Sequence, residues 1–596
     1  MATQRYAVNQ PPIETLFTWI KEGDIAIPEI QRPFVWDASK VRDFLDSLYR
    51  GFPVGFLIAW RNPDAKLKSG DKSAGKRILI DGQQRVTALM AALLGFEVIN
   101  KDYKKVRIRI GFNPDEERFE VSNPAIEKNS RWIPDIAAIF RPDGLVSTIQ
   151  EYCDRNPGTT FQQVFTKLNR VAGITSNQIG LIELNSDLDI ETVTEIFIRV
   201  NSSGVPLSQA DFAMSKIAVD EDHGGNMLRK AIDYFCHVAV APEFFSVIKN
   251  DHAFAGSEYF QKMAWLAKVN DDLYDPSYTD MLRVAFTSQF QRGRLEDLVA
   301  LLSGRNFETR QFEEAIVEES FTKLSAGIHK FINEYHFKQF LMIIRSAGFV
   351  SASMIGSQNA LNFSYVLYII LRDQGVPHSE IERQVRRWFV FSLLTNRYSG
   401  SFETAIEEDV KQFRDTGIDT YAEALFRGTL SNAYWDFVLP GRFETSSTGS
   451  GMFKLYAAAQ VKLGERGFLS KDIQVTDLIT WGSDVHHIFP KHVLKQAGAT
   501  QSQYNQIANY VICPTEINIR IGNKEPAQYF TEVLAQCNGG PKKYGNITSL
   551  DDLRENFRQN AIPEGVEALT IDDYQTFLAQ RRALMAAKIR TYFESL

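Results

Sequence analysis

Three of the nine histidines in this chain stand within seven residues, in Asp484-Val485-His486-His487-Ile488-Phe489-Pro490-Lys491-His492. Imidazoles serve as general bases and metal ligands near neutral pH. Successive side chains of a strand point to opposite faces, so His486 and His487 must do different work if the stretch is extended. A metal ligand beside a general base is such a division of labour. A second polar group lies far upstream, in Ile78-Leu79-Ile80-Asp81-Gly82-Gln83-Gln84-Arg85-Val86-Thr87-Ala88-Leu89. It reads as a buried strand, a tight turn at Asp-Gly and a helix lasting to about Gly95. A helix N-terminus presents unpaired N–H groups and the positive end of its dipole, which attract phosphate. Gly82 permits close backbone approach, Arg85 adds a bidentate cation, and Asp81 or Gln84 can position a water or a metal. A plainer account makes Asp81 the N-cap of an ordinary helix.

Several elements must position these residues. Helical spacing over Ile13 to Gly23 puts Leu16, Trp19 and Ile20 on one face. In Ile27-Pro28-Glu29-Ile30-Gln31-Arg32-Pro33-Phe34-Val35-Trp36 two prolines keep the backbone extended, so Gln31 and Arg32 can reach a ligand or sit solvated on an edge. A helix is expected over Glu191 to Val200, followed by the turn-rich Asn201-Ser202-Ser203-Gly204-Val205-Pro206-Leu207. Ser208 and Asp211 have the spacing of a capping box. Arg199, Asn201 and Gly204 can close a polar pocket against the Asp81 loop, although capping alone explains most of them. From 231 to 440 the pattern is mainly amphipathic helix. Within it, Arg386-Arg387-Trp388-Phe389 and Asn396-Arg397-Tyr398-Ser399-Gly400 combine arginines with aromatics that can meet DNA or nucleotide, or end a helix in solvent. Gly441 to Gly451 (GRFETSSTGSG) has linker composition. A helix near Phe453 to Leu463 and a helical tail from about Ile571 follow. The expected domains are 1–230, 231–440 and 441–596, in an α+β multidomain chain.

Composition sets limits on partners and compartment. With 44% hydrophobic and 12% aromatic residues in 596, large cores are available. The four cysteines (Cys153, Cys236, Cys513, Cys537) form no disulfide framework and no C-x-x-C pair. No apolar run reaches membrane-span length and no signal peptide is recognisable, so a cytoplasmic protein with no membrane partner is expected. A net charge of −7 excludes a generally basic nucleic-acid coat. The stretch from Met452 to Glu525 is locally basic, with eight Lys/Arg against six Asp/Glu.

After the histidines the chain reads Ala508-Asn509-Tyr510-Val511-Ile512-Cys513-Pro514-Thr515-Glu516-Ile517-Asn518-Ile519. His-His-Ile-Phe-Pro followed by Asn509 and Asn518 resembles the β-β-α-metal, or HNH, nuclease unit. That resemblance implies His486 and Asn518 as metal ligands, His487 as general base, and Asn509 as the residue that holds the His487 ring through its backbone or side-chain amide. Relatives more often carry Glu or Asp where His486 stands. The implied cofactor is Mg²⁺ or Mn²⁺, with the imidazole tilting preference toward Mn²⁺, Ni²⁺ or Zn²⁺. With IPEIQRPFVW, IDGQQRVTAL and RVNSSGVPLSQADF, nearly the whole chain resembles the GmrSD-type modification-dependent (type IV) restriction enzymes, a group that includes the BrxU and SspE fusions. The fold implied is a ParB/sulfiredoxin-like α/β N-terminal domain, a helical middle and an HNH C-terminal domain. The activity implied is a phage-defence endonuclease on modified double-stranded DNA, with nucleoside triphosphate hydrolysed at Asp81. Gln31, Arg32, Gly82, Gln83, Gln84, Arg85 and Asn201 would surround the nucleotide, and a second copy of the chain is an expected partner. In sensors of backbone modification an aromatic residue stands where Ile30 does; that departure turns the expectation from phosphorothioate toward modified cytosine. The alternative reading is a nucleotide-dependent DNA-binding regulator without nuclease activity.

Overall fold

The computed structural model describes all residues except 1–4, 23, 27–35, 61–76, 101–104, 186–187, 189–195, 197–207, 221, 269–272 and 483. Gln31, Arg32, Arg199, Asn201 and Gly204, and all of the expected 191–200 helix but residue 196, lie outside the described residues. The chain is a mixed, mostly helical α+β protein that divides into two compact units. One comprises 1–270 with 302–318, the other 271–301 with 319–596. This division does not fall at the expected boundaries of 230 and 440.

The first unit is built on a five-stranded mixed sheet. Its chain order is β1 (Tyr6–Asn9), α1 (Ile13–Glu22), β2 (Ile25–Ala26), α2 (Ala38–Tyr49), β3 (Phe56–Trp60), β4 (Arg77–Asp81) and α3 (Gln83–Leu93). Two hairpins follow, β5 (Glu97–Ile99) with β6 (Lys105–Arg107) and β7 (Ile110–Asn113) with β8 (Arg118–Val121). Then come α4 (Gly144–Arg155), α5 (Phe161–Ala172), β9 (Gly180–Leu184), α6 (Gln209–Val219) and α7 (Gly225–Val240). The sheet order is β1-β9-β3-β4-β2, with β3 parallel to β9 and antiparallel to β4. Strand alternation sorts β3: Leu57 and Ala59 pack with Leu16, Leu79, Val86 and Leu181, whereas Ile58 and Trp60 pack with Leu184 and Leu188. The central strand is therefore buried on both faces, as its unbroken apolar sequence requires. The expected box forms at the start of α6, where Ser208 and Asp211 cap each other.

The second unit is a helical body carrying a small hairpin. Its helices include α8 (Tyr278–Phe290), α9 (Gln358–Asp373), α10 (His378–Thr395), α11 (Phe402–Thr416), α12 (Ile418–Thr429), α13 (Gly451–Lys462) and α14 (Val475–Trp481). Strand β10 (Asp484–His487) pairs with β11 (Tyr510–Cys513), followed by α15 (Thr515–Ile521), α16 (Pro526–Cys537) and the C-terminal α17 (Tyr574–Glu594). Helix α9 buries Ala360 through Leu371 without a break. Among the described residues no helix is long and apolar enough to cross a membrane.

Two expectations for this unit are corrected. Within the 386–400 stretch, Arg387, Trp388, Arg397 and Tyr398 are tied into a structural cluster rather than left free for a ligand. Asp409, fully buried, accepts from Arg397 Nε at 2.8 Å, Tyr398 at 2.8 Å and Tyr421 at 3.0 Å, and Trp388 Nε1 donates to Tyr398 at 3.0 Å. Arg387 is paired with Glu423. Four donors shared between its two oxygens offset the cost of burying this carboxyl group. The Gly441–Gly451 stretch is likewise no free linker. Phe443 is fully buried, the Thr445 carbonyl accepts from Ile507 N at 2.9 Å, and Tyr510 Oη donates to the Ser446 carbonyl at 3.0 Å.

Candidate active site

Gly482 ends α14 in the left-handed conformation, and the chain enters β10. Antiparallel pairing sets His486 opposite Val511 and His487 opposite Tyr510, so the two imidazoles leave opposite faces of the strand. His486 turns inward and is 3% exposed. Its ring lies parallel to Phe468, with centroids 6.1 Å apart, and Tyr529 meets it edge-on. Phe468 is held there by backbone bonds. Its N–H donates to the Ile512 carbonyl at 2.9 Å, and the buried Asn556 side chain bonds Gly467, Leu469 and Ser470 on either side.

One turn into α15, Asn518 reaches back across the hairpin and places Oδ1 2.7 Å from His486 Nδ1. Burial drives the His486 pKa down to about 4, against the opposing effect of the Asn518 bond. The ring is therefore neutral at physiological pH, the form in which imidazole ligates metal. Its Nε2 is buried without a hydrogen-bond partner. In this geometry Nδ1–H donates to Asn518 Oδ1, so the pair would hold a divalent cation only with the ring proton moved off Nδ1. Two neighbouring ligands of an octahedral ion, each ~2.1 Å from it, stand ~3 Å apart. No group of three or more His, Cys, Asp or Glu side chains suited to a metal occurs among the described residues, so this pair would leave most of a coordination shell to water and phosphate.

His487, partly buried, lies on the other face with its ring 4.8 Å from Tyr510. Burial lowers its pKa, the Asn505 bond raises it, and the Lys491 charge lowers it. The ring is held by Asn505, whose Oδ1 is 3.1 Å from Nε2. This corrects the role expected of Asn509, whose side chain and backbone groups both bond elsewhere. Asn509 Oδ1 accepts from Phe489 N at 2.8 Å, its Nδ2 donates to the Phe489 carbonyl at 3.0 Å, and its own carbonyl accepts from Ile488 N at 2.9 Å. Fully buried, it clamps the backbone just past His487. Asn505 carries no motif and no periodicity; sequence reasoning missed it because a loop alone places it.

The Asp81 loop has the expected strand, turn and helix, but Asp81 is not the cap. Gly82 occupies that position at φ 93°, where a Cβ would come within 2.3 Å of Leu57 Cδ2. The Asp81 carboxylate instead faces Arg85 at 3.6 Å. Arg85 also donates to the Val54 carbonyl at 3.0 Å and the Phe56 carbonyl at 3.1 Å, which fastens the approach to β3 beside the loop. Gln83 Nε2 donates to the Leu79 carbonyl at 3.3 Å.

The first unit thus joins a mixed sheet to a glycine-turned helix N-terminus, and the second carries a strand pair and helix that bring Asn518 to His486 and set His487 on the opposite face. Residues 13–218 match the family described as GmrSD restriction endonuclease, N-terminal domain. The matched span contains the Asp81 loop and ends before the second unit's hairpin, so the similarity concerns the N-terminal domain of such enzymes. The uncharacterized protein MJ0686 of Methanocaldococcus jannaschii is 21% identical over 553 residues, covering 86% of this chain and 85% of its own.

Proposed function

We propose that the chain is an endonuclease of the HNH type that cuts modified foreign DNA, with nucleoside triphosphate hydrolysed at the Asp81 loop of the other unit. The observation that carries the reading is the 2.7 Å approach of His486 Nδ1 and Asn518 Oδ1, with His487 at the adjacent strand position. The match over 13–218 supports restriction of DNA independently, since it contains none of these three residues.

The scissile phosphate would lie across the end of β10. His487, neutral because it is partly buried, takes a proton from the attacking water. His486 and Asn518 would hold a divalent cation, Mg²⁺ or Mn²⁺, which when bound supplies charge relief at the phosphate and the leaving oxygen. Lys491 and Lys495 both lie against the face of Tyr504, the Lys491 charge acts on His487, and the two favour the DNA backbone. In the first unit Asp81 would orient the water that attacks the terminal phosphate, and the first-turn amides of α3 would receive the phosphates.

The test is cleavage of plain, hydroxymethylated, glucosylated and phosphorothioated DNA with Mg²⁺ or Mn²⁺, with and without each triphosphate. His487→Ala controls cleavage and Asp81→Ala controls phosphate release. Metal-dependent cutting that is lost in the first variant and phosphate release lost in the second are expected. A wild-type protein that binds DNA in response to nucleotide but never nicks it would establish the regulator instead.

A further inference from the structure

We infer that Asn505 is the positioning residue of the general base, accepting the Nε2–H of His487 so that the ring is held as the tautomer with its lone pair on Nδ1. This rests on the reading of His487 as the base of a nuclease. An amide oxygen can only accept, so the imidazole nitrogen 3.1 Å from Asn505 Oδ1 must carry the proton. Nδ1 is then the atom left to take a proton from water. During attack the water proton passes to Nδ1 as the new P–O bond forms. The electron pair of the breaking P–O bond leaves with the departing oxygen, which gains its proton from solvent. The imidazolium keeps its Nε2–H on the Asn505 carbonyl throughout, so the orientation of the ring survives the change of charge.

The loop that presents Asn505 is fixed from outside the hairpin. Asn505 closes the one-turn helix Gln501–Tyr504, its N–H donating to the Gln501 carbonyl at 3.1 Å. Three side chains of α17 then hold the loop. Tyr574 donates to the Gln503 carbonyl at 3.0 Å, Arg581 to the Ala508 carbonyl at 2.7 Å, and Arg582 to Gln506 Oε1 at 3.0 Å. Such bracing places an acceptor firmly, as the partners of reacting histidines are placed in other sites. Tyr510 meets the ring through an aromatic edge contact, which leaves the Asn505 bond to choose the tautomer.

The experiment compares full-length wild type, Asn505→Leu, Asn505→Asp, His487→Ala and the double variant His487→Ala with Asn505→Leu. Each is given the DNA that the wild type cuts best, under saturating Mn²⁺, with DNA affinity in EDTA and thermal unfolding measured in parallel. Asn505→Leu should lower kcat by ~10- to 100-fold with KM, DNA affinity and Tm unchanged. Asn505→Asp, which also can only accept, should recover most of kcat. The double variant should be no slower than His487→Ala, because Asn505 acts through that ring. Wild-type kcat in Asn505→Leu, a change in KM alone, no recovery with Asp, or a further loss in the double variant would each overturn the inference. The opposite amide orientation, with the proton on Nδ1, predicts that Asp fails. If His487→Ala cuts as well as the wild type, the reading of His487 as the base falls and takes this inference with it; if His487→Ala is dead and Asn505→Leu is fully active, this inference alone falls.

Discussion

The Asp81 loop and the β10–β11 hairpin both gather polar side chains at a strand end, but they use nearness in sequence in opposite ways. In the loop, neighbours turn toward their own scaffold: Gly82 lets α3 close on Leu57, Arg85 bonds the Val54 and Phe56 carbonyls where the chain enters β3, and Gln83 bonds the Leu79 carbonyl. In the hairpin, neighbours part company, and each histidine meets an asparagine 18 or 32 positions further on. A run of polar residues is therefore not a run of ligands. Those that satisfy backbone groups build the site, and those whose polar atoms face side chains of distant origin are left for chemistry.

The sharpest test of this contrast is His487→Ala. A positioned base contributes ~10²- to 10⁴-fold, so DNA cleavage should fall by about that factor while phosphate release from nucleotide is unchanged. Loss of both activities in a folded protein would show that the two regions share one site. Next in size is Arg581→Met, aimed at the scaffold of the hairpin. Arg581 is fully buried, with its pKa lowered to about 10 by that burial, and it donates to the Ala508 and Asn560 carbonyls. Methionine fills much of the volume but leaves both acceptors dry, a cost of ~2–5 kcal/mol. Thermal unfolding should show a large loss for the second unit together with loss of cleavage, and unchanged stability would sink the bracing role of α17. The matching change in the other region is Gly82→Ala. A left-handed alanine with its Cβ against Leu57 should destabilise the first unit by ~2–4 kcal/mol and abolish phosphate release.

How much of this was legible depended on the reach of each interaction. The strand, turn and helix around Asp81, the Ser208 cap and the opposed faces of His486 and His487 follow from periods of two and 3.6 and from capping chemistry, all confined to a few residues. The convergence of Asn518 on His486 was legible through the resemblance alone. Asn505 and Arg581 were invisible, because their partners lie 18 and 73 positions away and no spacing rule connects them. Arg397 misled for the same reason. Its sequence neighbours look like a nucleic-acid surface, and the residue that decides the matter, Asp409, is one carboxylate in an otherwise ordinary amphipathic helix. Asn509 was found but misassigned, since a carboxamide that clamps a turn and one that orients a ring leave the same trace in a sequence.

Asp81→Asn should have the smallest effect on stability and is the most discriminating change within the loop. The Asp81–Arg85 pair spans 3.6 Å with both side chains about a quarter exposed, so its loss costs under ~1 kcal/mol. Arg85 keeps its bonds to Val54 and Phe56, and Gly82 keeps its fit to Leu57, so the turn should stand. Phosphate release should nonetheless vanish, because an amide neither attracts a cation nor accepts a proton as a carboxylate does. Near-native unfolding with no hydrolysis would place Asp81 with His487, among residues whose polar atoms act on a ligand. A stability loss as deep as that of Gly82→Ala would place it with Arg85 among the residues that build the loop, and the nucleotide assignment would have to rest on other side chains.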